Sequence, residues 1–383
     1  MADLFQHSIH VILANQVPSG AYVASPNFPV YSYCWFRDGA FIAYAMDLVG
    51  EHDSAWRFHD WAAHTILRHA DKAQRAIEKA QQGEPLDNDY LHTRYTLDGD
   101  EGPADWPNFQ LDGLGTWLWA LAEHVRRRPP ALSPAEGTAD RRSGLPAHWQ
   151  QAVDLITRYL AALWPYPCYD LWEEYPHYLH PYTLATIYAG LNAADSMMTA
   201  VSGRPSAVVE EIRRFVLKHG AQNGHLVKHV RPEDVAAAAI GGPPSAVVDA
   251  SLIGVATPYR LLAPDDPVVR ATVARIETDL HCQGGGVHRY QADTYYGGGE
   301  WVLLAAWLGW YYTERGMREK AEECLAWVQT QADTEGNLPE QVPQHLLAPE
   351  HYPGWEALRG AIAKPLLWSH AMALILQQAL YPA

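Results

Sequence analysis

The 383-residue chain has only four cysteines, Cys34, Cys168, Cys282 and Cys324, which lie far apart and form no CxxC pair. Neither a disulfide framework nor a zinc site is expected from them, and the four read as reduced, buried thiols. Basic residues are also few: 28 Lys and Arg stand against 44 Asp and Glu, a net charge of −16. That balance argues against nucleic acid or an anionic membrane as a partner, because such surfaces are bound through a basic face. Long apolar runs are missing. The most apolar stretch, Trp301 to Tyr312, is about half of the roughly 20 residues needed to cross a bilayer. Near the start no Lys or Arg precedes the apolar residues, and Gln, His and Asn interrupt them, so no export signal is expected and a cytoplasmic location is. Strand-like alternation is scarce as well, which leaves too few segments for a parallel sheet or an antiparallel sandwich.

What the sequence does have is apolar residues spaced three and four apart, the period of helices with one buried face. Twelve helices are expected, over Leu4–Asn15, Arg37–Val49, Ser54–Gln81, Phe109–Arg127, Pro146–Leu163, Tyr182–Val201, Ser206–Lys218, Val247–Leu262, Pro267–Leu280, Glu300–Arg315, Arg318–Thr330 and Pro365–Leu380. Several stop at Gly or Pro, as helices do. The reading is one all-α domain over residues 1–383, a double ring of paired helices, with polar loops at 129–146 and 231–244.

Aromatic usage is inverted: 15 Trp and 21 Tyr against 7 Phe. Indole and phenol join a flat apolar face to a polar handle, which suits the C–H faces and hydroxyl rims of sugars. These rings gather beside charges in the expected connections, where functional residues sit on a rigid scaffold. The clusters are Tyr31 to Asp38, Asp105 to Asp112, Asp170 to Tyr175, His288 to Tyr296 and Leu338 to Gln341. Glycoside hydrolysis needs one carboxylic acid to protonate the leaving oxygen and one carboxylate to activate water or attack directly. Glu173 and Glu340 are the candidates. Trp172 would shield Glu173 from water and raise its pKa, and Glu174 would raise it further. Pro339 would stiffen the loop before Glu340, and Gln341 would orient a carboxylate or a water. Taken singly, each Glu also fits an exposed loop or a helix start, where the dipole favours acids. Arg37 and Asp38 fit a salt bridge with a helix cap as well as a grip on sugar hydroxyls.

Together and in order, these segments resemble glycoside hydrolase family 15, the glucoamylase family, over nearly the whole chain. WFRD at Trp35–Asp38, DLWEE at Asp170–Glu174, HRYQADTYYGGGEW at His288–Trp301, LPEQ at Leu338–Gln341 and LLWSHA at Leu366–Ala371 are similar to that family's motifs. The resemblance implies an (α/α)6 barrel and an inverting, exo-acting α-glucosidase that releases β-D-glucose, with Glu173 as general acid and Glu340 as general base. It implies that Arg37 and Asp38 hold the terminal glucose, that Tyr31, Trp35, Trp172 and Trp368 line its pocket, and that Glu174, Arg289 and Tyr290 reach the next sugar. Gln110 and Asp112 are weaker assignments. Inversion sets the two carboxyls roughly 6.5–9.5 Å apart. No metal or organic cofactor is expected, and the expected partner is a small oligosaccharide. Without an export signal, a starch-binding module or an N-terminal β-sandwich, the chain most resembles the compact bacterial members that act on short α-1,6-linked glucosides such as isomaltose. The alternatives are an α-1,4 glucoamylase or trehalase of the same family, a non-catalytic carbohydrate-binding barrel, and an unrelated helical-barrel epimerase using His.

Overall fold

A helix that is apolar on every side must be buried on every side; one helix of this chain meets that condition, and a second is buried although it carries Arg37, Asp38 and Asp47. In the computed structural model every residue from Val302 to Tyr312 is buried, as is every residue from Phe36 to Asp47. The structure describes residues 4–103, 105–127, 145–197, 204–232 and 247–382. Among these lie thirteen α-helices: α1 (Leu4–Ala14), α2 (Phe36–Leu48), α3 (His52–Arg68), α4 (Ala70–Gln82), α5 (Asp112–Arg127), α6 (Ala147–Leu163), α7 (Pro181–Met197), α8 (Arg204–Phe215), α9 (Pro267–Asp279), α10 (Val302–Glu314), α11 (Arg318–Thr330), α12 (Tyr352–Arg359) and α13 (Leu367–Leu380).

Six elements close an inner ring. α2 packs on α5, α5 on α7, α7 on a 3-10 segment at Ala250–Val255, that segment on α10, α10 on α13, and α13 back on α2. An outer layer of α3, α6, α8, α9, α11 and α1 packs against it, which makes the (α/α)6 barrel expected from the sequence. The closest approach in the inner ring is between α5 and α7. A Cβ on Gly115 would stand 2.5 Å from the Thr186 carbonyl, and one on Gly190 would stand 2.7 Å from the Gly115 carbonyl, so only glycine fits at this crossing. One connected hydrophobic cluster extends from Val11 to Leu380.

Four of the twelve helix expectations need correction, one of them being Glu300–Arg315, which begins at Val302 because Glu300–Trp301 is a strand. The run Ser54–Gln81 is two helices, because His69 leaves helical geometry (φ −105°, ψ 21°) while its Nε2 bonds the Gly99 carbonyl at 3.0 Å and its ring packs tilted against Tyr95. The run Val247–Leu262 is not an α-helix. Asp249 caps a short 3-10 turn by accepting the Ser251 N–H at 2.8 Å, and Pro258, which has no N–H, forbids continuation. Phe109–Arg127 begins at Asp112 rather than Phe109: Gln110 bonds Arg37 and Glu173 in the site described below, and Leu111 packs into the core. α12 is not among the expected helices; its Pro353 sits in the first turn, where Pro is tolerated. The two expected polar loops lie almost wholly outside the described residues.

Three antiparallel ribbons of two-residue strands supply what little sheet the described residues contain. Two of them matter for function: Cys34–Trp35 pairs with Arg94–Tyr95 and leads into α2, and Glu300–Trp301 pairs with Gln341–Val342 and leads into α10. They fix the chain just ahead of two inner helices.

Candidate active site

A cavity of about 310 Å³ is built from these connections and from the first turns of α2 and α13. Of the eleven candidate residues, ten line it: Tyr31, Trp35, Arg37, Asp38, Trp172, Glu173, Glu174, Arg289, Glu340 and Trp368. Tyr290 does not line it but donates from its hydroxyl to Glu174 Oε2 at 2.5 Å.

One wall is the turn that carries Glu173. Glu173 and Tyr175 both have left-handed backbones (φ 68° and 55°), a conformation that costs about 1–3 kcal/mol at a non-glycine residue and is kept only where the surroundings impose it. Asp170 imposes it. Its Oδ1 accepts the N–H groups of Trp172 (3.0 Å) and Glu174 (2.9 Å), and its carbonyl accepts the N–H of Glu173 at 2.9 Å. Behind it, buried Lys228 donates to Asp170 Oδ2 at 2.9 Å and to Asp249 Oδ2 at 2.6 Å, and Asp249 also accepts the Trp172 indole N–H. Burial alone would push the Asp170 carboxyl up, but Lys228 holds it below the usual range. Trp172 therefore turns to Asp249. The indole that serves Glu173 is Trp35, whose Nε1 donates to Glu173 Oε1 at 2.7 Å, with Gln110 Nε2 at 3.4 Å on the same oxygen.

This arrangement predicts that Lys228→Met, which leaves two buried carboxylates facing each other, lowers stability by about 3–5 kcal/mol. Denaturant unfolding checks it, and a change below 1 kcal/mol, on the order of a surface pair, would remove Lys228 from this role.

Glu340, 3% exposed, lines the same cavity. Its Oε1 accepts from Tyr31 Oη at 2.9 Å, Tyr31 is bonded in turn to Tyr295 at 3.0 Å, and its Oε2 has no hydrogen-bond partner among the described residues. Burial pushes its carboxyl up to about 7. Its loop is held from behind: Ser369 Oγ donates to the Pro339 carbonyl at 2.8 Å, and the Leu338 N–H donates to His370 Nε2 at 3.0 Å. Gln341 does not orient Glu340. Its amide accepts from the Gly299 N–H at 3.0 Å and donates to the Tyr295 carbonyl at 3.3 Å, so it pins the facing loop instead.

At the start of α2, Arg37 donates from Nη1 to Gln110 (3.0 Å) and Asp112 (3.1 Å) and places Nε 3.3 Å from Asp38 Oδ2. The Gln110 and Asp112 assignments thus resolve into supports for Arg37. Burial raises the Asp38 carboxyl to about 6 against the pull of Arg37, and Asp38 Oδ2 has no hydrogen-bond partner among the described residues. The indole N–H of Trp368 and that of Trp301 are likewise buried and unpartnered at the cavity wall. A buried polar group without a partner is costly, so these three mark where polar ligand atoms belong. On the outer side, Glu174 pairs with Arg289 at 3.6 Å, and burial raises its carboxyl despite that arginine.

The sequence reading missed several wall residues. Trp106 stacks under the Arg94 guanidinium at 3.6 Å, and Trp355 and Arg359 come from the unexpected α12. Trp106 stood in a noted aromatic cluster. Nothing in the local sequence distinguished Lys228, Trp355 or Arg359.

Among the described residues no helix is long and apolar enough to cross a membrane. The family profile described as Glycosyl hydrolases family 15 matches residues 1–334. The chain is 39% identical over 380 residues to an isomaltose glucohydrolase from Kribbella flavida, covering 98% of this chain and 91% of that protein. It is 29% identical to an uncharacterized glycosyl hydrolase from Methanocaldococcus jannaschii, over 93% of this chain and 52% of that one. Among solved structures, a glycosidase variant in complex with glucose superposes with a TM-score of 0.88 at 38% identity, over 99% of this chain and 96% of that one. A bacterial glucoamylase complexed with acarbose shares the fold, with a TM-score of 0.70 at 18% identity over 98% of this chain and 55% of that one. The extent of the profile match and the identity to the Kribbella protein together place this chain in glycosyl hydrolase family 15, and it is a glycoside hydrolase.

Proposed function

We propose that this enzyme is an inverting, exo-acting α-glucosidase that releases β-D-glucose from the non-reducing end of short α-glucosides, with α-1,6-linked isomaltose as the representative substrate. The observation that carries the reading is that Glu173 and Glu340 line one small cavity together with Asp38, Arg37 and Trp368. A cavity near the lower end of the roughly 300–1,000 Å³ range of ligand sites suits one bound sugar with a second at its mouth. Arg37, Asp38 and Trp368 take the hydroxyls of the terminal glucose, and Tyr31, Trp35 and Trp172 supply ring faces and edges. Glu174, Arg289 and Tyr290 reach the leaving sugar.

In the reaction, Glu173 gives its proton to the glycosidic oxygen as the bond to C1 breaks. Glu340 removes a proton from the water that attacks C1 on the opposite face, and the product is β-glucose with both carboxyls one proton exchange from their starting states. A base poised near the working pH is the effective one, and the raised carboxyl of Glu340 meets that requirement. Identity to an isomaltose glucohydrolase supports the α-1,6 linkage. Four free thiols fit a reducing compartment, so the proposal is for a cytoplasmic enzyme folded as one catalytic domain, without a nucleic-acid or membrane partner. Initial rates on isomaltose, maltose and trehalose test the linkage. Fastest turnover of isomaltose is expected; faster turnover of maltose or trehalose would move the substrate to that linkage, and no turnover of any of them would favour a carbohydrate-binding barrel.

The raised carboxyl also fixes pH behaviour. Glu340 must be ionised to act, so kcat/KM is expected to fall below about pH 7, by roughly tenfold per unit. Stability runs the other way. The folded protein favours protonated Glu340, so nothing is lost below pH 4.5, and stability falls as pH rises toward about 7. Glu340→Gln should therefore gain about 3 kcal/mol at pH 8 and little at pH 4.5. Thermal midpoints of the two proteins at both pH values measure this, and an equal shift at both would contradict it.

A further inference from the structure

Behind the cavity wall the fold assembles a second group of side chains that the hydrolytic chemistry does not use. Cys282, His288 and Glu300 bring a sulfur, an imidazole nitrogen and a carboxylate oxygen within 4.8 Å of one another. No short cysteine motif announces them, because one comes from the turn after α9, one from the segment entering the active site and one from the strand ahead of α10.

Four features of the group point to an ion. The first is the tautomer of His288. Its Nδ1 lies 3.2 Å from the Gly299 carbonyl, which only accepts, so Nδ1 carries the proton and Nε2 directs its lone pair at Cys282 Sγ, 2.9 Å away. A backbone carbonyl that fixes the far nitrogen of a histidine is the usual outer support of a metal-ligating imidazole. The second is charge. Glu300 is 1% exposed, and among the described residues its one ion-pair partner is His345, whose Nδ1 stands 2.5 Å from Oε1 and whose side chain is 60% exposed. Third, Gly286 closes directly over this carboxylate: a Cβ there would meet Oε2 at 2.2 Å. Fourth, Cys282 also lines a separate cavity of about 760 Å³ between α9 and α11, which gives an ion a way in.

We propose that Cys282, His288 and Glu300 form a site for a borderline-soft divalent cation of the zinc class, with His345 holding the carboxylate from outside. Thiolate, imidazole and carboxylate together are a zinc donor set. Tetrahedral bonds of ordinary length separate sulfur from nitrogen by about 3.6 Å, so binding opens the present thiol–imidazole contact by a fraction of an ångström. Binding replaces the Cys282 S–H proton with the metal and releases that proton to solvent. The site's role is mechanical: His288 precedes Arg289 and Glu300 precedes Trp301, so one ion ties together the two segments that deliver these residues to the active-site wall.

Cobalt(II) chloride added to chelator-treated, full-length protein tests this. One ion should bind per chain, with a thiolate-to-cobalt absorption band in the near ultraviolet. Cys282→Ser should lose the band and the ion, and Cys324→Ser, which alters the other cysteine of the outer cavity, should keep both. Absence of a band in the wild type, or its survival in Cys282→Ser, overturns the proposal. Should Cys282→Ser fail to fold, zinc sulfate on the wild type decides: zinc near tenfold above its dissociation constant should slow maleimide labelling of Cys282 by about tenfold, and unchanged labelling overturns the site.

Discussion

Glu340→Gln is expected to lower kcat on isomaltose by about 10²–10⁴-fold, the range that a positioned general base contributes. Gln keeps an oxygen for the Tyr31 hydroxyl that now donates to Oε1 at 2.9 Å, so the loop and its Ser369 and His370 supports stay in place. What disappears is a site for the water's proton. The loss should therefore be the same for every leaving group. With α-glucosyl fluoride, whose fluoride departs without protonation, Glu340→Gln should remain as impaired as with isomaltose.

Glu173→Gln is expected to lose a comparable 10²–10⁴-fold or so on isomaltose but to recover most of its activity on α-glucosyl fluoride. The general acid acts only on the leaving oxygen, so a substrate that needs no proton bypasses it. The Trp35 and Gln110 donors both end on Glu173 Oε1, and a Gln oxygen turned to them preserves the turn. Steady-state rates of both variants on both substrates form a square of four measurements. Recovery by Glu340→Gln in place of Glu173→Gln would exchange the two roles.

The helical architecture is legible in the three-and-four apolar spacing, and the residues that gather at the cavity are legible in the aromatic and charged clusters between helices and in the resemblance of those clusters to the family's motifs. Arg37-Asp38 beside Trp35, Glu173-Glu174 after Trp172, and Glu340 after Pro339 stand out against the regular apolar spacing of the helices they adjoin. Partnerships across the fold were not legible. Sequence adjacency suggested Trp172 as the ring beside Glu173, but a left-handed backbone at Glu173 separates the two side chains, and Trp172 bonds Asp249 while Trp35 arrives from another loop. Gln341 was misread in the same way, since consecutive side chains of the strand Gln341–Val342 and the residue before it do not share a direction. Lys228 has no local signature at all. It becomes meaningful only when Asp170 and Asp249 close on it from two other segments. The same limit applies to Cys282, His288 and Glu300, whose spacing matches no metal motif and whose proximity is a product of the fold.

The central claim, that Glu173 and Glu340 work as an inverting pair on a terminal glucose, is tested most directly by the configuration of the first product. Time-resolved proton NMR of the enzyme with isomaltose should show the β-anomer of glucose rising first, with the α-anomer following only at the rate of mutarotation. Early α-glucose would mean retention, which requires a nucleophile and a carboxyl spacing near 5 Å in place of the roughly 6.5–9.5 Å of an inverting pair, and would contradict the assignment of Glu340 as the base for water.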